Sequence, residues 1–394
     1  MIFDSINFLL WLLGIYLMLN CLYLAFFALM ALLPLKNRFR SAEKPAKKTA
    51  VLFPTYRENI VILESVKAAL QHNYKGHFEV VVIADGLEPA TLDHISQMGG
   101  RYIEVVFERS TKGKALRWAM NVLKDEGFEM AVVLDVDNLM GDDCLNAMSL
   151  ALQNGYKVVQ AHRTAKNMDS NFAFLDACNE EVNNQIYRKG PAILGLSASL
   201  IGSGIGFDFV YFKYLLDKIG DTVGEDKQLD FLLAQDREAV AYLNNTYVFD
   251  EKIENAKVFT QQRSRWLASQ IEFMKKYALQ GFVQLFKVNL SFFNKSLQTL
   301  LMPRMLLLGS LFILLLQSLV HPYGPTSLFW LLLFLMLCTT LLLAIPARFY
   351  ANKRFYIAIF QIPRAMLGMF MALLKVGNAK KTFIVTPHKQ KDLD

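Results

Sequence analysis

The sequence predicts an α/β domain with a mostly parallel sheet, set between apolar segments that belong in a membrane. Three observations carry that expectation. Short β-rich runs alternate with helical stretches from residue 49 to about 247, the pattern of βαβ units whose ligands sit at the carboxyl ends of the strands. A nearly unbroken apolar run occupies 6–35, and apolar character returns in steps after Gly281. Within the α/β region, residues 131–138 read AVVLDVDN, four apolar residues of a buried strand ending in Asp135 and Asp137. Alternate residues of an extended strand point the same way, so the two carboxylates can share one hard cation. Magnesium is usually held by one or two protein carboxylates together with substrate phosphates. A lone D-x-D equally describes turn aspartates after a strand, and the surrounding chain decides between the two.

Composition sets the bounds. The 394 residues allow one large domain plus membrane helices. At 54% hydrophobic and 20% charged the chain is apolar for a soluble enzyme, and the excess is concentrated at its two ends. The formal net charge is +7. Much of the basic charge clusters beside the apolar ends, which suits anionic lipid head groups rather than nucleic acid. Cys21, Cys144, Cys178 and Cys338 show no C-x-x-C spacing, so neither a zinc site nor a disulfide framework is expected, and the main domain reads as reduced and cytosolic.

In chain order, 6–35 is long enough to cross a bilayer with some tilt. It lacks a basic leader and a small-residue cleavage site, which makes it an anchor. Lys36, Arg38, Arg40, Lys44, Lys47 and Lys48 follow it and only Asp4 precedes it, so the positive-inside rule places the next segment in the cytoplasm. Strands are expected at AVLF from Ala50, FEVVVIA from Phe78, IEVVF from Ile103, AVVL from Ala131 and KVVQAH from Lys157. Long helices are expected at 169–189, with a polar face, and at 255–277. An interfacial helix is expected at 282–297. A span follows at 300–320, with Arg304 snorkelling to the head groups, then a turn at 321–326 and a returning span at 327–345. The stretch 356–376 contains Pro363 and Arg364 and precedes a basic tail (Lys375, Lys380, Lys381, Lys389, Lys391). It is expected to lie in the interface, giving three spans, with a fourth span as the alternative. The implied division is an anchor at 1–40, a cytosolic domain at 41–280 and a membrane-associated part at 281–394.

Several short constellations carry chemistry. FPTYREN at 53–59 follows the first strand; Thr55 and Tyr56 can approach a base or ribose and Arg57 or Glu58 can hydrogen-bond it, while the structural alternative makes Thr55 a helix cap with Glu58 three residues on. Asp85 ends the second strand in IADG, where a carboxylate can accept from a base N–H or a ribose hydroxyl. Lys112 and Lys114 flank Gly113 at a helix start, a setting that suits phosphate. IGSGIGF at 201–207 permits close backbone approach to a ligand but is no P-loop. Gly224, Glu225 and Asp226 open a helix; a carboxylate there is often a dipole partner, and if Asp226 faces the cleft it can take a proton from an acceptor hydroxyl. QRSRW at 262–266 offers the Arg265 fork for phosphate and the flat face of Trp266 for a sugar ring. Each of these residues taken alone also fits a solvated helix face.

Their order does not. The series D, K-G-K, D-x-D, G-S-G, E-D, Q-x-x-R-W between membrane flanks resembles the membrane-integrated family-2 glycosyltransferases, the group of cellulose, hyaluronan, chitin and other exopolysaccharide synthases. The resemblance covers about 49–270 and the flanking layout. It implies a GT-A fold, a nucleoside-diphosphate sugar donor, most often UDP-linked, and Mg2+ or Mn2+. By that similarity Thr55, Tyr56, Glu58 and Asp85 line the nucleotide pocket with Lys112 near it. Asp135 and Asp137 bind the diphosphate, Asp137 through the metal; Asp226 is the base; Gln262, Arg265 and Trp266 hold the pyrophosphate and the acceptor end. GED stands where the family usually has TED. FIVTPHK at 383–389 resembles the gating loop F-x-V-T-x-K of cellulose synthases, with His388 in the place of its Lys. The expected product is a polysaccharide grown by an inverting transfer. The alternatives are transfer of one or a few sugars to a membrane lipid and a catalytically silent nucleotide-binding subunit of an export complex. Three spans are few for one chain to enclose a polymer channel, so a second copy or an export partner is an expected companion.

Overall fold

The computed structural model describes residues 2–36, 39–40, 45–220, 224–254, 256–321 and 323–379. The loop-like motif expected at 383–389 lies outside the described residues. The centre is an eight-stranded sheet in the order β3-β2-β1-β4-β7-β6-β8-β5. Its strands are β1 (Thr49–Tyr56), β2 (Phe78–Asp85), β3 (Arg101–Val105), β4 (Met130–Val133), β5 (Leu139–Met140), β6 (Val158–Ala165), β7 (Ile205–Asp208) and β8 (Val240–Asp250). The half built from β3, β2, β1 and β4 is parallel, as the alternating pattern predicts. The other half corrects the expectation of a mostly parallel sheet. β7 runs antiparallel to both β4 and β6, β6 pairs parallel with β8, and β5 pairs antiparallel with β8.

β7 was hidden by its glycines, which read as a ligand loop. They answer to packing. A Cβ on Gly206 would stand 3.1 Å from Met148 Sδ, and Gly204, at φ +63°, lies against Val248. The sheet is covered on both faces. One core joins it to α4 (Lys112–Leu123), α8 (Phe209–Lys218) and α9 (Glu225–Gln235). The other joins it to α2 (Val61–Leu70), α3 (Pro89–Gln97) and α5 (Cys144–Gln153). Burial of Val, Ile, Leu and Phe on both faces makes the central strands continuous apolar runs rather than alternating ones.

The expected helix at 169–189 is α6 (Asn171–Asn183) continued by a π-helical turn (Asn184–Lys189) and α7 (Gly190–Ile193). Its polar residues do not face solvent: Glu180, Glu181, Asn184 and Arg188 are all buried. The helix expected at 255–277 is α10, Ala256–Phe286, which runs on through residue 280. The single interfacial helix expected at 282–297 is instead the end of α10 and an antiparallel α11 (Leu290–Leu300), joined where Val288 adopts φ +55°. The pair packs closely, with Gly281 against Ser296.

The remaining helices are α1 (Ile2–Ala31), α12 (Arg304–Val320), α13 (Ser327–Leu343), α14 (Ala347–Tyr350), α15 (Arg354–Ile359), α16 (Ile362–Leu374) and the short α17 (Val376–Ala379). Within α1, Asp4–Ala31 has mean hydropathy 2.1 and is long and apolar enough to cross a membrane. α11 and α12 meet that requirement only together, as a pair bent by 55°. α13 has 17 residues. The stretch 356–376 is broken between α15 and α16, so it forms no single helix of span length. α1, α12 and α13 share one apolar core. The Gly324 amide donates to Asn7 Oδ1 and the Met302 amide donates to Asn20 Oδ1. The amino end of α1 and the α12–α13 connection therefore lie at one end of this layer, and the α/β domain lies at the other.

Candidate active site

The carboxyl ends of the strands open into a cleft of about 820 Å3 that continues to the ends of α12 and α16. Thr55, Tyr56, Glu58, Asp85, Lys112, Asp135, Asp137, Asp226, Gln262, Arg265 and Trp266 all line it. The structure thus brings these eleven residues to one cavity, while Arg57 and Lys114 stay outside its lining. Local roles differ from expectation in places. Thr55 is no helix cap: it lies inside β1, 2% exposed, and its hydroxyl donates to Phe53 O. α2 begins at Val61, too far on for that role. Asp85 closes β2 and its carbonyl accepts from the Arg57 amide, with Gly86 at φ +70° making the turn. Of the two lysines at the start of α4, Lys112 reaches the cleft, whereas the Lys114 ammonium turns back towards Arg109 O.

Asp135 and Asp137 leave β4 through a turn rather than along an extended strand. The Asn138 amide donates to Asp135 O, and Asn138 Oδ1 accepts from the Asp135 amide. The turn sends the two carboxylates to different partners. Asp135 meets Lys112 Nζ at 2.5 Å and Arg163 Nη1 at 3.8 Å. Asp137 is buried and accepts from the Glu251 amide at 2.8 Å and from Asn138 Nδ2 at 3.3 Å. Among the described residues no group of three or more His, Cys, Asp or Glu stands ready to hold an ion. Two carboxylates beside basic groups fit a hard divalent cation that takes its other ligands from a diphosphate and water.

Lys112 knits this end of the cleft together. Its ammonium also donates to Gly202 O at 2.6 Å. Burial pulls its pKa down, but Asp135, Glu225 and Asp226 outweigh burial and hold it above the ordinary value. Those carboxylates are therefore gathered around one charge. Glu225 is pushed up to about 7, chiefly by burial and further by Asp226 and Asp135, against the pull of Lys112. Asp226 sits in the first turn of α9, where its Oδ1 accepts from the Lys227 amide. The glycine of GED has a packing reason, because a Cβ on Gly224 would run into Ser269 Oγ and the Phe273 ring of α10. That close approach sets the start of α9 against the helix carrying QRSRW.

On α10, burial lowers the pKa of Arg265 while Glu225 draws it back up. The Arg263 guanidinium packs over Trp266, 3.9 Å from the ring centroid, and leaves Trp266 45% exposed. Deeper in lies a buried ionic network that the motifs did not reveal. Arg163 Nη2 meets Glu180 at 3.2 Å and Nη1 meets Asp250 at 3.6 Å. Lys252 meets Asp250 at 2.8 Å, and Arg188 donates to Asn184 Oδ1 at 2.8 Å and meets Glu180 at 3.4 Å. Burial alone would raise Glu180, but Arg163, Lys252 and Arg188 hold it far below the usual carboxylate range. The spacing of Glu180, Asn184 and Arg188 along one helix was the available signal. Arg304 is a further correction: instead of snorkelling to head groups, it donates to Asn179 O and Oδ1 and to Asn183 Oδ1 inside the cleft.

An acidic turn after a central strand, a basic helix start and a sheet that turns mixed beyond that strand define the GT-A type of glycosyltransferase domain. The family model described as "Glycosyltransferase like family 2" matches residues 45–269, more than half of the chain, and the protein belongs to that family. The curated probable glycosyltransferase YdaM of Bacillus subtilis (strain 168) is 23% identical over 261 residues. That alignment takes in 62% of this chain and 60% of the relative's length. Among solved structures, the fold is similar to that of a mannosyltransferase from Pyrobaculum calidifontis in complex with GDP-mannose and Mn2+. The match has a TM-score of 0.55 at 16% identity and covers 96% of this chain and 100% of that one.

Proposed function

We propose that the protein is a metal-dependent, inverting glycosyltransferase working at the cytoplasmic face of the plasma membrane, moving a sugar from a nucleoside-diphosphate sugar onto a growing polysaccharide. The observation that carries this reading is the single cleft in which Asp135, Asp137, Lys112, Asp226, Arg265 and Trp266 converge and whose far end is walled by α12 and α16. Thr55, Tyr56, Glu58 and Asp85 receive the nucleoside, with a UDP-sugar as the first candidate donor. Asp137, with Asp135 beside it, would hold Mg2+ or Mn2+, which would supply positive charge against the diphosphate as its bond to the sugar breaks. Lys112, Arg265 and Gln262 add fixed donors to the same leaving group, which needs no reorganisation as charge develops. Trp266 stacks the acceptor sugar. Asp226 takes the proton of the attacking hydroxyl, the new glycosidic bond forms at the anomeric carbon, and the nucleoside diphosphate departs from the opposite side. One displacement inverts the centre, giving a β-linked product from an α-linked donor. On this reading 1–40 is the membrane anchor, 41–280 the catalytic domain and 281–394 the membrane-associated part.

A second reading, transfer of one or a few sugars to a lipid, is favoured by the apolar lining that Met302, Pro303, Met305, Ala365 and Met369 give the far end. The test uses the full chain in lipid nanodiscs with radiolabelled UDP- and GDP-sugars and Mg2+ or Mn2+, the guanosine donors included because the Pyrobaculum enzyme binds GDP-mannose. Water-soluble polymer from one donor supports synthesis of a polysaccharide. Label confined to the organic phase selects the lipid reading. Donor binding with neither incorporation nor release of nucleoside diphosphate overturns both and leaves a silent nucleotide-binding subunit.

A further inference from the structure

We infer that the membrane end of the cleft is a phosphate site, and that the acceptor is a saccharide carried on a lipid phosphate. The inference rests on the glycosyltransferase reading and names its acceptor class. Two buried guanidinium groups carry it. Arg263 is 4% exposed and donates through Nη2 to Asp176 Oδ1 at 2.7 Å, but its buried Nε has no hydrogen-bond partner. Arg304 spends Nη2 on Asn179 and Asn183, and its buried Nη1 likewise has none. Both arginines line the cleft and lie close enough to feel each other's charge. Buried donors are nearly always satisfied, and each orphan calls for an explanation.

The surrounding charge points the same way. Arg163, Arg188 and Lys252 join these two arginines, while the carboxylates among them are Glu180, Asp176, Asp250 and Asp135, the last shared with Lys112. Cations outnumber anions in a buried setting, where an uncompensated charge is costly. An anion placed between Arg263 and Arg304 satisfies the orphan donors and the charge together, and a guanidinium fork matches phosphate geometry. The donor diphosphate is served at the other end, by Lys112 and by Arg265, whose electrostatic partner is Glu225; Arg263 instead faces Asp176 on α6. Past the two arginines the lining turns apolar at Met302, Met305, Ala365 and Met369, a path for a hydrocarbon tail. Arg263 backs one face of Trp266, so a sugar on the same ring lies beside the phosphate and within the cleft that holds Asp226. The phosphate keeps all its bonds during transfer. It anchors the acceptor while the terminal hydroxyl reacts.

Titration calorimetry on the full chain in a neutral detergent tests this, with farnesyl phosphate, farnesol, inorganic phosphate and, separately, UDP and GDP with Mn2+ as probes. Farnesyl phosphate should bind at least ~10-fold more tightly than farnesol or inorganic phosphate. Arg263→Gln and Arg304→Gln should each weaken it by about 10-fold, the usual cost of a lost charge-assisted hydrogen bond, and leave nucleotide affinity unchanged. Farnesyl phosphate no tighter than farnesol overturns the site. Inorganic phosphate as tight as farnesyl phosphate overturns the lipid and leaves a free-anion site. Nucleotide affinity falling in step with farnesyl phosphate overturns the assignment by moving the pair into the donor site. A wild-type chain that binds no nucleotide defeats the glycosyltransferase reading itself. Should a Gln variant fail to fold, Arg263→Lys decides: weaker farnesyl phosphate with intact nucleotide binding supports the site, and unchanged lipid affinity refutes it.

Discussion

The two ends of the cleft are built on opposite plans. At the donor end the charges come from strand ends and helix starts, and they neutralise one another across short contacts such as Lys112 to Asp135. At the membrane end they come from α6 and its π-helical turn, α10 and α12 together with Arg163 of β6 and Lys252 just after β8, and basic groups remain in excess around Glu180 and Asp176. Pairs at the donor end can open when a metal and a diphosphate arrive, because each group exchanges one charged partner for another. The membrane end has no such exchange to make, since its ion pairs are enclosed by packed helices. The two ends meet at Arg163, which contacts both Glu180 and Asp135.

The largest effects should fall on the donor end and on turnover. Chelation by EDTA should lower turnover by ~10³-fold or more, as a bound cation is worth several kcal/mol of charge stabilisation, and Mn2+ or Mg2+ should restore it. Full activity in EDTA would mean that Lys112 and Arg265 carry the leaving group without an ion. Asp226→Asn should lower kcat by ~10²–10⁴-fold, the range for losing a general base, with nucleotide affinity unchanged in calorimetry. Intact turnover in that variant would remove Asp226 from the role of base.

At the membrane end the effect should be on stability. Glu180→Gln leaves Arg163, Arg188 and Lys252 without their shared carboxylate, and breaking a buried pair costs about 3–5 kcal/mol. The pH dependence follows from the depressed pKa of Glu180. A carboxylate held below its ordinary 4.5 stabilises the fold fully above that pH and loses the contribution as pH falls further. The melting temperature of the wild type should therefore drop more steeply below pH 4.5 than that of Glu180→Gln. Parallel acid curves would show that the network is not what the acid attacks.

The same contrast explains what could be read from the chain alone. Asp135, Asp137, Lys112 and Asp226 stand at ends of elements, where few positions face the cleft and the local offsets are constrained; Arg265, inside α10, was legible only through the QRSRW pattern. Glu180, Asn184 and Arg188 recur at helical spacing, which reads the same for a solvated face as for a buried one; only the tertiary packing, with partners on β6 and just after β8, buries them. Arg163 sits on β6 between His162 and Thr164, and its role depends on Asp250 at the end of β8, a strand absent from the expected set. β7 was lost to glycines whose purpose is contact with Met148 and Val248. Gly224 shows how packing can be put to the test. Gly224→Thr must push α10 away from α9 at Ser269 and Phe273. A cost of about 1–3 kcal/mol is expected from overpacking, read by denaturant unfolding. No loss of stability would mean that α10 shifts freely and that the QRSRW segment is not held where the structure places it.

The smallest effect tests whether the two ends share one acceptor. Trp266 lies between them, backed by the Arg263 guanidinium and open on the cleft side. Trp266→Ala removes apolar area from the acceptor path but no group assigned to the donor or to the proton. Losing 1–2 kcal/mol of ring contact, about the value of a partly buried aromatic, should raise the acceptor KM by ~10-fold with donor KM unchanged. The comparison sharpens if acceptors are varied in the same assay. A free oligosaccharide, which has only the ring to hold it, should suffer more from the substitution than a lipid-phosphate saccharide that keeps its hold on Arg263 and Arg304. Equal losses for both acceptors would mean that the membrane end adds nothing to binding, and that its charge excess serves the fold alone.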